Sequence, residues 1–160
     1  MVAGLWFDDC EGVPELARSL PKDPSDKTLE GLELWLSCYF AGKRAKRPKV
    51  ALYGSPFQVA VWEETLKIPY GSTSSYKQLA EQVAIRRGKA SPRAVGSAMG
   101  RNPVSILVPC HRVLGASNRL VGYGGGLNRK KALLMLEGAK FTEDANDRRK
   151  LCGLKELSLA

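Results

Sequence analysis

The apolar positions of this chain fall into short periodic runs, and most runs have a helix start written in front of them. Leu29, Leu32, Leu36, Tyr39 and Phe40 recur at helical spacing and predict a helix docked on a core. Ser55-Pro56-Phe57-Gln58 supplies a capping serine, a proline at the first helical position and a glutamine placed for a capping box. Val61, Trp62 and Leu66 then form the apolar face of a helix of roughly a dozen residues, ended near Pro69 and Gly71. Ser75 and Gln78 repeat the box, and Tyr76, Leu79, Ala80, Val83 and Ala84 follow at i, i+3, i+4, i+7 and i+8. Ser91-Pro92 opens a short helix running to about Gly100, and a further helix is expected from Leu127 to about Leu136. Ser105-Ile106-Leu107-Val108, fenced by Asn102-Pro103 and Pro109, reads as a short strand.

The helices on either side of Ile85–Ala90 are joined by a basic, glycine-containing turn, which fits a helix-turn-helix or an ordinary helical hairpin. The second helix turns Val95, Ala98 and Met99 inward and places Arg93, Gly96, Ser97 and Gly100 together on another face. Glycine costs a helix about 1 kcal/mol relative to alanine, so that bare face calls for a close neighbour. Either another helix packs tightly on it, or it enters a nucleic-acid groove with Arg93 reaching between base pairs.

With 160 residues, the chain allows one ordinary domain, or a compact domain with a small appendage. No stretch approaches the ~18 apolar residues of a bilayer span, and the first ten residues run into Asp8 and Asp9, so no export signal is expected. The net charge of +9 is uneven. Residues 1–30 hold seven acids and three bases, whereas residues 31–112 hold thirteen bases and four acids, a field that attracts polyanions, nucleic acid first. Gly42 to Lys49 concentrates part of it in a solvated linker or a phosphate-facing loop. Cys10, Cys38, Cys110 and Cys152 are widely spaced and His111 is the single histidine, which disfavours zinc and argues for reduced thiols in a cytosol-like compartment.

Chemistry concentrates at Pro109-Cys110-His111-Arg112, where an electropositive setting is expected to lower the thiol pKa. Neighbours on an extended strand diverge, so direct pairing of Cys110 with His111 needs a turn at this point. Glu137 falls at the end of the last helix, where the dipole disfavours an anion. It is either a solvated surface residue or the partner of His111 in an acid–His–Cys relay. Tyr123-Gly124-Gly125-Gly126 is a side-chain-poor loop that borders a pocket or simply turns, and it lacks the lysine of a nucleotide loop.

Residues 102–113, Asn-Pro-Val-Ser-Ile-Leu-Val-Pro-Cys-His-Arg-Val, closely resemble the active-site signature of the O6-alkylguanine-DNA alkyltransferases, the methylated-DNA–protein-cysteine methyltransferases. The similarity runs through Phe57-Gln58, Val61-Trp62, Ile68-Pro69-Tyr70-Gly71, Ser75-Tyr76, Leu79-Ala80 and Arg93-Ala94-Val95-Gly96, then on to Gly125-Gly126-Leu127 and Leu136-Glu137-Gly138. It implies an α+β protein: a small, reduced N-terminal α/β segment (1–52), a mainly helical catalytic DNA-binding domain with a winged-helix-like helix-turn-helix (53–139) and a C-terminal tail (140–160). The implied activity is irreversible, single-turnover transfer of the alkyl group from a flipped O6-alkylguanine, with O4-alkylthymine as a second substrate, to the protein's own cysteine.

By that resemblance Cys110 is the acceptor, His111 its base through a water, Glu137 the histidine's partner and Asn102 a brace. Tyr76 aids phosphate rotation and leaving-group protonation. Arg93 replaces the flipped base, with Ala94, Gly96 and Ser97 on the DNA-facing helix. Met99, Val108, Tyr123 and Gly124 belong to the substrate pocket, the backbone at Val108 and Cys110 reading the guanine edge. The partner is double-stranded DNA containing alkylated guanine, with no cofactor, metal or membrane; a monomer is expected, cytoplasmic in a bacterial setting or nuclear in a eukaryotic one.

Two departures stand out. Gly124 occupies a position where some members carry a serine that helps hold O6. Gly4-Leu5-Trp6-Phe7 resembles a late strand of an N-terminal sheet whose earlier strands are missing. Two rivals follow. One is a non-catalytic lesion sensor of the alkyltransferase-like kind, which lacks the reactive cysteine that this chain has. The other is a Cys–His hydrolase, which leaves Arg93 and the basic middle without a use.

Overall fold

Each of the first four helices begins where a short polar side chain satisfies the free N–H groups of a first turn. The computed structural model describes residues 1–7, 9, 14–15, 25–43 and 45–143. Helix α1 (Lys27–Phe40) starts at Asp26, whose carboxylate accepts from the Thr28 N–H at 2.7 Å. Helix α2 (Pro56–Leu66) carries both halves of its capping box: Ser55 N–H donates to Gln58 Oε1 at 2.8 Å and Gln58 N–H donates back to Ser55 Oγ at 3.3 Å. Strand β1 (Ser74–Ser75) leads into helix α3 (Tyr76–Arg87), which is boxed in the same way by Ser75 and Gln78. Helix α4 (Pro92–Met99) has Ser91 as its cap and proline at its start. Strand β2 (Val113–Leu114) pairs in parallel with β1, and helix α5 (Leu127–Leu136) closes the order. The architecture is α+β and mainly helical.

Helices α2, α3 and α4 pack pairwise on one another around Val61, Trp62, Leu79, Val83 and Val95. Gly88, at φ 86°, ends α3 in a conformation that side chains resist, and the following residues turn the chain into α4. The pair is a helix-turn-helix. The same core takes in Val2, Leu32, Trp35 and Tyr39, so the N-terminal residues and α1 share hydrocarbon packing with helices α2 to α4. A smaller cluster of Leu114, Leu120, Leu134 and Ala139 lies under α5. Among the described residues no helix is long and apolar enough to cross a membrane.

Three expectations change. Helix α1 buries Leu32, Trp35 and Tyr39, while Leu29 and Phe40 remain 45% and 44% exposed. Overlapping helical stripes allow either face, and the large Trp35 ring, stacked on Tyr39 at 5.2 Å, decides which one packs. Residues 105–108 form a turn instead of a strand: Val108 N–H donates to Val104 O at 3.0 Å, and Ile106 sits at φ 65°. Prolines 103 and 109 have no N–H to give a ladder, yet the turn still buries Ile106, Leu107 and Val108. Gly4–Phe7 makes one parallel bridge, Leu5 with Val104, beside a second between Val2 and Val50, and no longer strand. Cys38 and Cys110 are free thiols; Cys10, Cys152, Arg44 and the basic Arg148-Arg149-Lys150 lie outside the described residues.

Candidate active site

The buried turn at 104–108 runs directly into a single 3-10 turn, Cys110–Arg112, which separates the directions of consecutive side chains. Cys110 points into a cavity, whereas His111 and Arg112 reach Glu137 behind it. Asn102 ties the two turns together. Its Nδ2 donates to Cys110 Sγ at 2.9 Å and to Val108 O at 3.1 Å, and its Oδ1 accepts from the Val104 N–H at 2.9 Å.

Glu137 is the most heavily bonded group in the site. Its Oε1 accepts from Tyr39 Oη at 2.6 Å and Arg112 Nη2 at 2.9 Å and lies 2.8 Å from His111 Nε2. Its Oε2 accepts from Arg112 Nε at 2.8 Å and Gly71 N–H at 3.1 Å. Burial alone would raise this carboxyl, but the bonds from His111, Arg112 and Tyr39 hold it down at about 2. It is therefore an anion, and Nε2, facing that anion at 2.8 Å, carries the ring proton. The lone pair belongs to Nδ1, which is buried with no hydrogen-bond partner among the described residues. Gly71 is required here by geometry: its φ is 75°, and a Cβ would stand 2.9 Å from Glu137 O.

Burial pulls the pKa of His111 down, and Glu137 opposes this only in part, so the imidazole is neutral and basic at Nδ1. The thiol departs from the expectation of a lowered pKa. Burial pushes Cys110 up to about 12, with the Asn102 bond and the Lys130 charge pulling the other way. The physical reason is that Arg112, two residues along the chain, has its charge neutralised by Glu137, while the sulfur itself has little water around it.

The cavity in front of Cys110 measures about 610 Å³, within the range of small-molecule sites. Tyr76, Met99, Asn102, Tyr123 and Gly124 line it with the sulfur. Val108 does not: it is fully buried, and its carbonyl already accepts from Cys110 N–H at 2.8 Å and from Asn102. Tyr76 Oη donates to Gly122 O at 3.3 Å, which holds its ring along the wall. Gly125 passes so close to Phe7 and Tyr123 that a Cβ would meet each at 2.8 Å.

Several residues in the site carried no signal in the sequence. Trp6 and Pro14 line the cavity from the N-terminal region. Lys130 is fully buried and donates to Val113 O, Val121 O and Gly122 O, so it tethers the rim on which Tyr123 stands. Burial lowers this ammonium to about 8, against the opposing pull of Cys110. Tyr39 completes the shell of Glu137, beside Arg112, which the sequence marks only as a charge near Cys110. A buried lysine or tyrosine looks like any other in one dimension, and only its acceptors reveal it.

On the outer side, α4 presents Arg93 and Ser97 exposed, with Ala94 and Gly96 half-buried. Arg93 makes no hydrogen bond or ion pair with any described residue. The nearest atom to a Cβ at Gly96 would be Tyr76 Cε1 at 3.7 Å, an ordinary contact, so packing within the chain does not demand glycine there. The bare face is open.

A helix-turn-helix with an open second helix, beside a buried cysteine that faces a cavity and is backed by an imidazole–carboxylate pair, defines a DNA-binding protein with a nucleophilic thiol. The sequence family described as 6-O-methylguanine DNA methyltransferase, DNA binding domain, matches residues 56–139. A methylated-DNA–protein-cysteine methyltransferase of Mycobacterium bovis is 46% identical over 122 residues, which are 76% of this chain and 72% of that one. The structure of Mycobacterium tuberculosis OGT in complex with DNA superposes with a TM-score of 0.63 at 49% identity, covering 68% of this chain and 66% of the other. A variant of the M. tuberculosis O6-methylguanine methyltransferase gives 0.73 at 40% identity, covering 91% and 86%. The chain belongs to this family, and with it to the proteins that repair alkylated DNA by moving the alkyl group onto a cysteine of their own. The lesion-sensor alternative is not favoured.

Proposed function

We propose that Cys110 is the sulfur that takes the alkyl group, and that its substrate is O6-alkylguanine rotated out of duplex DNA into the cavity. One observation carries this reading: Cys110 Sγ faces the same about 610 Å³ cavity as Tyr76, Met99 and Tyr123, while Asn102 fixes it at 2.9 Å. An intact duplex hides the O6 substituent behind stacked neighbours, so the base must leave the stack. Arg93, without a partner among the described residues and on an open helix face, is the side chain available to occupy the gap, and Ala94, Gly96 and Ser97 let α4 approach the duplex closely.

The thiol proton passes through a water to His111 Nδ1, and Glu137 stabilises the imidazolium through Nε2. The thiolate attacks the alkyl carbon, a C–S bond forms and the C–O6 bond breaks. The electron pair stays on the purine, which takes a proton from the Tyr76 hydroxyl, and the proton lost by the thiol and held on His111 returns through solvent to the tyrosinate. A thiol held up at about 12 is mostly protonated, so proton transfer to His111 accompanies the attack on the alkyl carbon. The thioether product has no leaving group to give back, so each molecule reacts once. Residues 53–139 are taken as the catalytic DNA-binding unit, with the reduced N-terminal segment 1–52 ahead of it. The protein works as a monomer in the compartment that holds the DNA, the cytoplasm of a bacterium or a eukaryotic nucleus.

The test is intact mass measurement after incubation with DNA carrying methyl-labelled O6-methylguanine. One methyl group per chain is expected, mapped to Cys110 and absent from Cys110→Ala. Label retained by Cys110→Ala would refute the assignment.

A further inference from the structure

We infer that Tyr39 of α1 is a positioning residue of the relay: its hydroxyl, donated to Glu137 Oε1, makes the N-terminal helix part of the machinery that sets His111. The inference rests on the reading of His111 as the base.

Tyr39 is 3% exposed, and its Oη lies 2.6 Å from Glu137 Oε1 and 3.4 Å from His111 Nε2. Its ring is fixed by stacking on Trp35 at 5.2 Å and by the edges of Phe40 and Tyr70 at 5.4 and 5.9 Å. The titratable and charged groups facing Tyr39 are His111 and Arg112 from the 3-10 turn, Glu137 from the end of α5, and Tyr70, and His111 itself is faced by Glu137, Arg112 and Lys130 of α5. Among the described residues that bond Glu137, Arg112, His111 and Gly71 come from the DNA-binding part, and Tyr39 alone comes from the N-terminal part.

The three donors on Oε1 compete for one oxygen. A hydroxyl given to that oxygen withdraws charge that the imidazolium would otherwise feel, so it keeps His111 a weaker base. It also fixes the carboxylate rotamer, and thereby the plane of the imidazole and the aim of Nδ1 toward the cavity. A hydroxyl that only filled space would do neither. Removing it makes Oε1 more basic, raises the proton affinity of His111 and loosens its orientation.

The experiment is the pH–rate profile of Cys110 alkylation by free O6-benzylguanine between about pH 5 and 9, read by intact mass on the full chain. Tyr39→Phe keeps the stacked ring. Its acid limb should move to higher pH by about half to one unit, its plateau should fall about three- to tenfold, and its affinity for duplex DNA should stay the same. A fall that is uniform in pH, or an unchanged profile, overturns the inference. Site-specific 3-fluorotyrosine at position 39 retains the hydroxyl as a stronger donor and should move the limb the opposite way, which decides the matter even if Tyr39→Phe folds poorly. His111→Gln, run in parallel, should abolish the limb. If the limb survives that change, the assignment of the base has failed, and this is distinguishable from a failure at Tyr39.

Discussion

The two working faces of this protein are built in opposite ways. Behind Cys110, Glu137, His111, Arg112 and Tyr39 are buried and bonded to one another, with His111 Nδ1 as the open valence. On α4, Arg93 and Ser97 stand in solvent, and the glycine at 96 touches nothing closely enough to need it. A buried polar group must find its partners inside the chain, so the chemical half is assembled before DNA arrives. An exposed face can leave its partners to the ligand. On the proposed assignment of the two faces, the reagent is preassembled and the recognition surface is left for the ligand to complete.

This contrast predicts different penalties for damage on the two sides. Glu137→Gln should be the most costly, slowing alkylation about a hundredfold or more with the free base and with duplex DNA alike, because both need the imidazole. It should also lower stability in a pH-dependent way. The carboxyl lies at about 2 in the folded chain against 4.5 ordinarily, so its stabilising effect is complete above about pH 4.5 and is lost as pH falls toward 2. Denaturant melts of the two proteins should therefore converge in acid; a constant gap would show that ionisation is not the source.

Arg93→Ala should separate the halves. Repair of duplex lesions should fall about ten- to a hundredfold, because nothing then fills the gap left by the extruded base and the cost of extrusion is no longer offset, while the free base reacts at the normal rate. Equal losses on both substrates would erase the distinction between the two faces. The smallest effect is expected from Gly96→Ala. Thermal melting should hold or rise, since alanine favours a helix by about 1 kcal/mol and the site has room, while duplex affinity weakens about three- to tenfold. If affinity is untouched, α4 does not approach DNA through that face.

Much of the frame was legible because its causes are local. The capping boxes at Ser55 and Ser75, the Ser91-Pro92 start and the inward stripe of Val95, Ala98 and Met99 all lie within a few residues of the structure that they specify. The candidate site was legible in part. Glu137 stood out because an anion at a helix C-terminus is unfavourable, and the structure gives it His111 at 2.8 Å. Residues 105–108 differ from the expected strand because an apolar run between prolines fits a strand and a buried turn equally well, and the pairing with Leu5 ends at Ser105, where the chain turns. The lowered thiol pKa was misread because adjacency to His111 and Arg112 says nothing of where those side chains point or of how dry the sulfur is.

The order of residues by itself determined where the helices start, that the second one of the pair has a bare face, and which family the Asn102-to-Val113 stretch belongs to, since each is written in neighbours along the chain. Only folding decided that Tyr39, 98 positions before Glu137, shares an oxygen with His111, that Trp6 walls the cavity and that Lys130 holds its rim. Those contacts depend on side-chain direction and on exclusion of water, and both exist only once distant segments have closed around a common core.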